Sequence, residues 1–180
     1  MRNRKVAAMM EKRQRPPVLP PSGSRAGADK VLFHHKEAAA VPKIVELKSS
    51  FPPDGPLPVE CTAGGAGHSP ELVWSGVPKG TAALVLLVED ADSPTFHPFV
   101  HALASDLPPT DGEIDEGALG KAYRPPNPPA GHGPHRYYFQ LYSMREKPGS
   151  QLKDRSDLAR ELKDGNCSGR GFLMGTYERK

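Results

Sequence analysis

The chain has 180 residues and a mass of 19.5 kDa, which suits one domain or a small domain with a tail. It carries 24 Lys+Arg against 21 Asp+Glu, a formal net charge of +3, with 21 Pro and 18 Gly. That Pro and Gly content excludes a helical bundle or coiled coil. The longest strictly apolar run, the seven residues Ala82 to Val88, excludes a transmembrane helix of roughly 20 residues.

Residues 1–40 hold nine Lys/Arg and three Asp/Glu, whereas residues 41–180 hold 15 and 18. The basic character therefore belongs to the first 40 residues, which read as a disordered tail with Pro16-Pro17 and Pro20-Pro21. His34-His35 falls in that tail and is expected in solvent. Weak attraction to polyanions is the most the tail offers, and no specific nucleic-acid partner is expected. The stretch Val6 to Met10 is too short for a secretory signal, so a cytoplasmic location is expected. Cys61 and Cys167 form neither a disulfide framework nor a thiolate zinc site.

From Val41 a domain is expected to run to residue 180. Ile44, Val45 and Leu47 predict a first strand, followed by the turn-rich Phe51-Pro-Pro-Asp-Gly-Pro-Leu-Pro58. Cys61 to Pro70 is a loop without phosphate-loop order. Thr81 to Glu89 predicts a central strand buried on both faces. Phe99–Ala104 and Arg136–Met144 predict two more. In the second, Tyr137, Phe139 and Leu141 take one face, and Tyr138, Gln140 and Tyr142 the other. One helix is expected, capped by Ser156, with Leu158 and Leu162 inward and Gly165 as its stop. Arg170–Tyr177 closes the chain as a strand. The sum is a mostly β domain with one or two short helices and long Pro/Gly-rich loops.

Ionisable residues gather at the strand ends. Asp90 and Asp92 follow the buried run, and residues two apart share a face of an extended chain. His101 lies in the next strand, and His135 and Tyr137 open the one after. Rigid proline around Pro129 sits beside them and suits a pocket rim. These residues predict a small polar pit in which Asp orients His and His meets an anion. Asp90, Asp92, His101 and His135 also contain metal-ligand chemistry, but the reading favours no metal and no cofactor. Gly133-Pro134 breaks any helix that would align His132 with His135.

Several motifs resemble one family in order along residues 41–180. Cys61-Thr-Ala-Gly-Gly-Ala-Gly-His-Ser-Pro-Glu-Leu-Val-Trp-Ser-Gly-Val-Pro78 resembles the opening of the phosphatidylethanolamine-binding protein family. Glu89-Asp-Ala-Asp-Ser-Pro94 is similar to its DPDAP signature, Phe99-Val-His101 to its following strand, Gly131-His-Gly-Pro-His-Arg-Tyr137 to its GxHRY segment. Gly171-Phe-Leu-Met-Gly-Thr-Tyr177 resembles the last strand of its bacterial, Raf kinase inhibitor-like branch. The resemblance implies a β-sandwich with an anion pocket formed by Asp90, Asp92, His101, Pro129, His135 and Tyr137. It implies a small anionic or phosphorylated ligand, such as a phospholipid head group; inhibition of Raf kinase is not carried over, and a kinase or protease partner belongs to the docking alternative. Asp92 with His135 is the expected central pair. A phosphoesterase using those two residues, or a scaffold docking a partner, are the alternatives; binding without catalysis is preferred. The family's aromatic residue after the pocket histidine is Ala102 here, which is expected to open the pit on that side.

Overall fold

The computed structural model describes residues 27–149 and 152–180. Its strands are β1 (Glu46–Lys48), β2 (Leu72–Ser75), β3 (Ala83–Asp90), β4 (Phe99–Leu107), β5 (Gly112–Ile114), β6 (His135–Met144) and β7 (Cys167–Tyr177). They form two antiparallel sheets, ordered β1-β2-β5 and β4-β3-β6-β7. Single-turn helix α1 (Lys36–Ala39) and helix α2 (Arg155–Lys163) pack on the larger sheet's outer face. The fold is the mostly β sandwich expected.

The side-chain pattern explains the layering. β3 and β6 are buried at every position, because each is covered on both faces. Leu84, Leu86, Val88, Tyr137, Phe139 and Leu141 face the smaller sheet and meet Leu47, Leu72 and Trp74. Val85, Leu87 and Tyr142 face the other way, against Leu32, Leu158 and Leu162. The period-two alternation read for β6 is thus the division between two cores. Gly171 lets the chain before β1 lie against β7: a Cβ there would sit 2.0 Å from the Val45 carbonyl oxygen.

Two local expectations shift. Helix α2 is capped by Asp154 rather than Ser156: its carboxylate accepts from the Ser156 and Asp157 backbone N–H groups. Asp157 accepts in return from the Asp154 N–H, completing a capping box. Leu158, Leu162 and the positive-φ Gly165 take their expected places. β5 was not anticipated, since three residues carry no readable periodicity.

The larger correction concerns the first 40 residues. From Gly27 onward the chain is folded, and only residues 1–26 of the expected tail lie outside the described residues. Val31, Leu32 and Phe33 are buried. The Leu32 N–H donates to Glu89 Oε2 at 2.8 Å, and the Phe33 N–H to Gln140 Oε1 at 2.7 Å. Arg170 donates to the Val41 and Phe33 carbonyls and stacks on the Phe33 ring. A basic, Pro-rich average had concealed one short apolar cluster. His34, although exposed, rests edge-on against Phe33, Tyr138 and Phe172.

Cys61 and Cys167 are both buried thiols, and burial pushes each up to about 11. Among the described residues, no helix is long and apolar enough to cross a membrane.

Phe33→Ala is expected to cost about 3–5 kcal/mol in urea unfolding, the usual range for emptying a buried aromatic site. A value near zero would return this segment to the surface.

Candidate functional site

The candidate site lies where β3 ends and β4 and β6 begin. Asp90 pairs across the sheet with Phe99 on one side and Tyr137 on the other. The β3–β4 register then slips: Val88 pairs with Ala102 and Glu89 with Val100, so His101 is the extra residue of a β-bulge. A bulge re-aims its side chain. Here it turns His101 toward the loop that starts at Arg124. The Arg124 N–H donates to the His101 carbonyl at 2.7 Å, and His101 Nδ1 donates to the Arg124 carbonyl at 2.6 Å.

A cavity of about 280 Å³ opens between these elements. Asp90, His101 and His135 form its polar wall, and Pro125, Pro128 and Pro129 its rigid opposite side. Phe99, Arg124, Asn127, Ser93 and Pro94 complete the lining. Phe99 lies edge-on to His101, ring centroids 5.0 Å apart, and so supplies an aromatic wall. Ala102 belongs instead to a neighbouring cavity.

Of the six residues expected at the site, four line this cavity: Asp90, His101, Pro129 and His135. The sequence reading paired them differently from the structure. His135 Nδ1 donates to Asp90 Oδ2 at 2.8 Å, with both side chains buried. Asp92 turns away from the cavity and grips Arg136. Its Oδ2 accepts from the Arg136 backbone N–H at 2.9 Å and from Nε at 2.8 Å, and its Oδ1 accepts from a terminal guanidinium nitrogen at 2.8 Å. The expected Asp92–His135 pair is therefore corrected to Asp90–His135. The cause is the turn after β3: the Asp92 N–H donates to Asp90 Oδ1, which bends the chain and ends the shared face.

Tyr137 does not line the cavity. Its ring lies behind His101, centroids 5.2 Å apart and nearly perpendicular. Burial, then the nearby Asp90 carboxylate, push its hydroxyl far above the ordinary tyrosine range, so it stays protonated. Arg124 was not anticipated. Its only sequence signal is its place immediately before the proline run. Its guanidinium lies 5.8 Å from the Phe99 ring centroid, and among the described residues no carboxylate pairs with it.

Two buried polar atoms at this end of the sheet have no hydrogen-bond partner among the described residues: His135 Nε2 and the Tyr137 hydroxyl. Buried polar atoms are nearly always satisfied. With Nδ1–H spent on Asp90, His135 keeps Nε2 for something else. His101 is similarly placed, its Nδ1–H committed to a carbonyl. Burial holds His101 below the ordinary histidine range, although its carbonyl contact and Asp90 oppose that shift. Among the described residues, no three His, Cys, Asp or Glu side chains are grouped to hold a metal ion.

The model of the phosphatidylethanolamine-binding protein family matches residues 47–178. The chain belongs to that family. A UPF0098 protein of Aquifex aeolicus is 30% identical, over 83% of this chain and 97% of its own. A UPF0098 protein of Chlamydia trachomatis is 33% identical, over 69% of this chain and 91% of its own. Among solved structures, a phosphatidylethanolamine-binding protein homolog from Chlamydia trachomatis superposes with a TM-score of 0.69 at 32% identity, covering 77% of this chain and 99% of that one. YbcL of E. coli shares the fold, with a TM-score of 0.65 at 21% identity, covering 76% of this chain and 99% of that one.

Asp92→Ala leaves the buried Arg136 guanidinium without its carboxylate, and such losses cost about 3–5 kcal/mol. Chemical denaturation should show that loss for Asp92→Ala. A change below about 1 kcal/mol, as for an exposed pair, would contradict the structural role given to Asp92.

Proposed function

We propose that this protein binds small phosphate esters, with the phosphate beside His135 and His101 and the remainder of the ligand toward Phe99 and the proline wall. The observation that carries the reading is His135 Nε2, a buried atom without a partner among the described residues, on a ring held through Nδ1 by Asp90. Arg124 adds a permanent cation to the same cavity. Neither aspartate is open to serve an ammonium group alone, because Asp90 already accepts from His135 and from the Asp92 N–H, and Asp92 is occupied by Arg136.

The proton inventory sets a direction for pH. His101 already donates from Nδ1, so its Nε2 meets an oxyanion only when it carries a second proton. Burial disfavours that proton on His101 in the empty protein. A bound anion favours it. Capture therefore favours a proton on His101, and affinity for the phosphate dianion rises as pH falls below neutrality. Charge-assisted contacts of about 1.5–3 kcal/mol each place the affinity in the micromolar to millimolar range.

Titration calorimetry with inorganic phosphate and phosphoethanolamine tests this. Binding of the phosphate dianion, after allowance for the ligand's own second ionisation, should strengthen from about pH 7.5 to about pH 6, which spans the free-histidine pKa. The heat should vary with the buffer's ionisation enthalpy in the sense of proton uptake. His135→Asn should weaken binding at least about tenfold. Affinity for the phosphate dianion independent of pH, or binding unaffected by His135→Asn, would overturn the proposal.

A further inference from the structure

A second cavity of about 260 Å³ adjoins the first, and the two share His101 and Arg124 in their linings. The second lies over Ala102, where the small side chain leaves room, and reaches the N-terminus of α2 at Lys153, Asp154 and Arg155. Three cations therefore border it. Arg155 is committed to the buried Glu89, its Nε donating to Oε1 at 2.5 Å. Arg124 and Lys153 have no carboxylate partner among the described residues. The one anion there, Asp154, spends Oδ1 on the α2 cap and the Ser156 hydroxyl. His101 is 6% exposed, and its bulged position sets it between the two hollows with Nδ1 already used. Neighbouring cavities that share an unpaired arginine and end at an unpaired lysine match an elongated ligand with acid at both ends.

We infer that the second cavity is an anion subsite for the distal acidic group of a ligand whose phosphate occupies the first, so that the whole site prefers doubly acidic phosphate esters to zwitterionic ones. This rests on the phosphate-binding reading of the first cavity. Arg124 lies between the two anions and offsets their repulsion, and Lys153 meets the far end. A ligand such as phosphoethanolamine brings an ammonium group toward the same cations and is disfavoured.

Matched ligands separate this inference from its foundation. Calorimetry would compare a simple n-alkyl phosphate with alkane-α,ω-bisphosphates whose spacers run from roughly three to eight methylenes. The readout is the affinity ratio of bisphosphate to monophosphate. Two equivalent ends alone give about twofold by statistics. The inference predicts a ratio of about tenfold or more at one preferred spacer length, as one added charge-assisted contact supplies. Lys153→Glu should bring the ratio back to about the statistical value. A ratio that stays statistical at every spacer length while the alkyl phosphate binds normally would overturn the inference and leave the first cavity's role intact. A raised ratio that survives Lys153→Glu, or that shows no preferred length, would also overturn it, because diffuse charge attraction would then suffice. Failure of every phosphate to bind would remove the foundation itself.

Discussion

One buried hydrogen bond, from His135 Nδ1–H to Asp90, organises this end of the molecule. It joins the last residue of β3 to the first of β6 and fixes which imidazole nitrogen is left for a ligand. Without Asp90 the His135 ring has no partner to choose its tautomer. Without His135 the Asp90 carboxylate keeps, among the described residues, the Asp92 N–H. The cavity, its unpartnered nitrogen and the handling of protons all follow from this pair.

Three acidic residues in the four positions 89–92 do three different jobs, and strand geometry explains the division. Glu89 and Asp90 are neighbours in an extended chain, so they point to opposite faces. Glu89 goes outward to Arg155, Gln140 and the Leu32 N–H, which ties α2 and the N-terminal segment to the sheet. Asp90 goes inward to His135. Asp92 lies past the end of the strand, where the turn delivers it to the guanidinium of Arg136. The outer clasp and the Asp92–Arg136 fork lie outside the first cavity's lining, yet they hold both sides of the strand whose tip bears Asp90. The larger sheet supplies a rigid frame, and the proline wall supplies a rim that loses little entropy on binding.

Much of this was legible in the sequence, for identifiable reasons. The continuous apolar run at 83–88 could only be a central strand, and the alternation in 137–142 divided the two cores correctly. Asp90, His101 and His135 could be assigned to one hollow because strand ends at the same edge of a sheet are neighbours. The partner of His135 could not be read, because Asp90 and Asp92 look equivalent in an extended chain. Only the bend at Ala91–Asp92 breaks that equivalence. The bulge at His101 was equally hidden, since it depends on cross-strand register. Val31-Leu32-Phe33 was lost in the composition of its surroundings; a shorter averaging window would have exposed it. Arg124 carried no pattern at all, and only its hydrogen-bonded contact with the bulge gives it meaning.

Nitrogen-15 NMR of the His135 ring tests the central claim most directly. The account requires Nδ1 to carry the proton in the empty protein, donated to Asp90, and the Nε2 resonance to shift when inorganic phosphate is added. Replacing Asp90 with Asn should blur the first signature and weaken the second. A ring protonated at Nε2 in the empty protein, or an Nε2 shift indifferent to phosphate, would contradict the account.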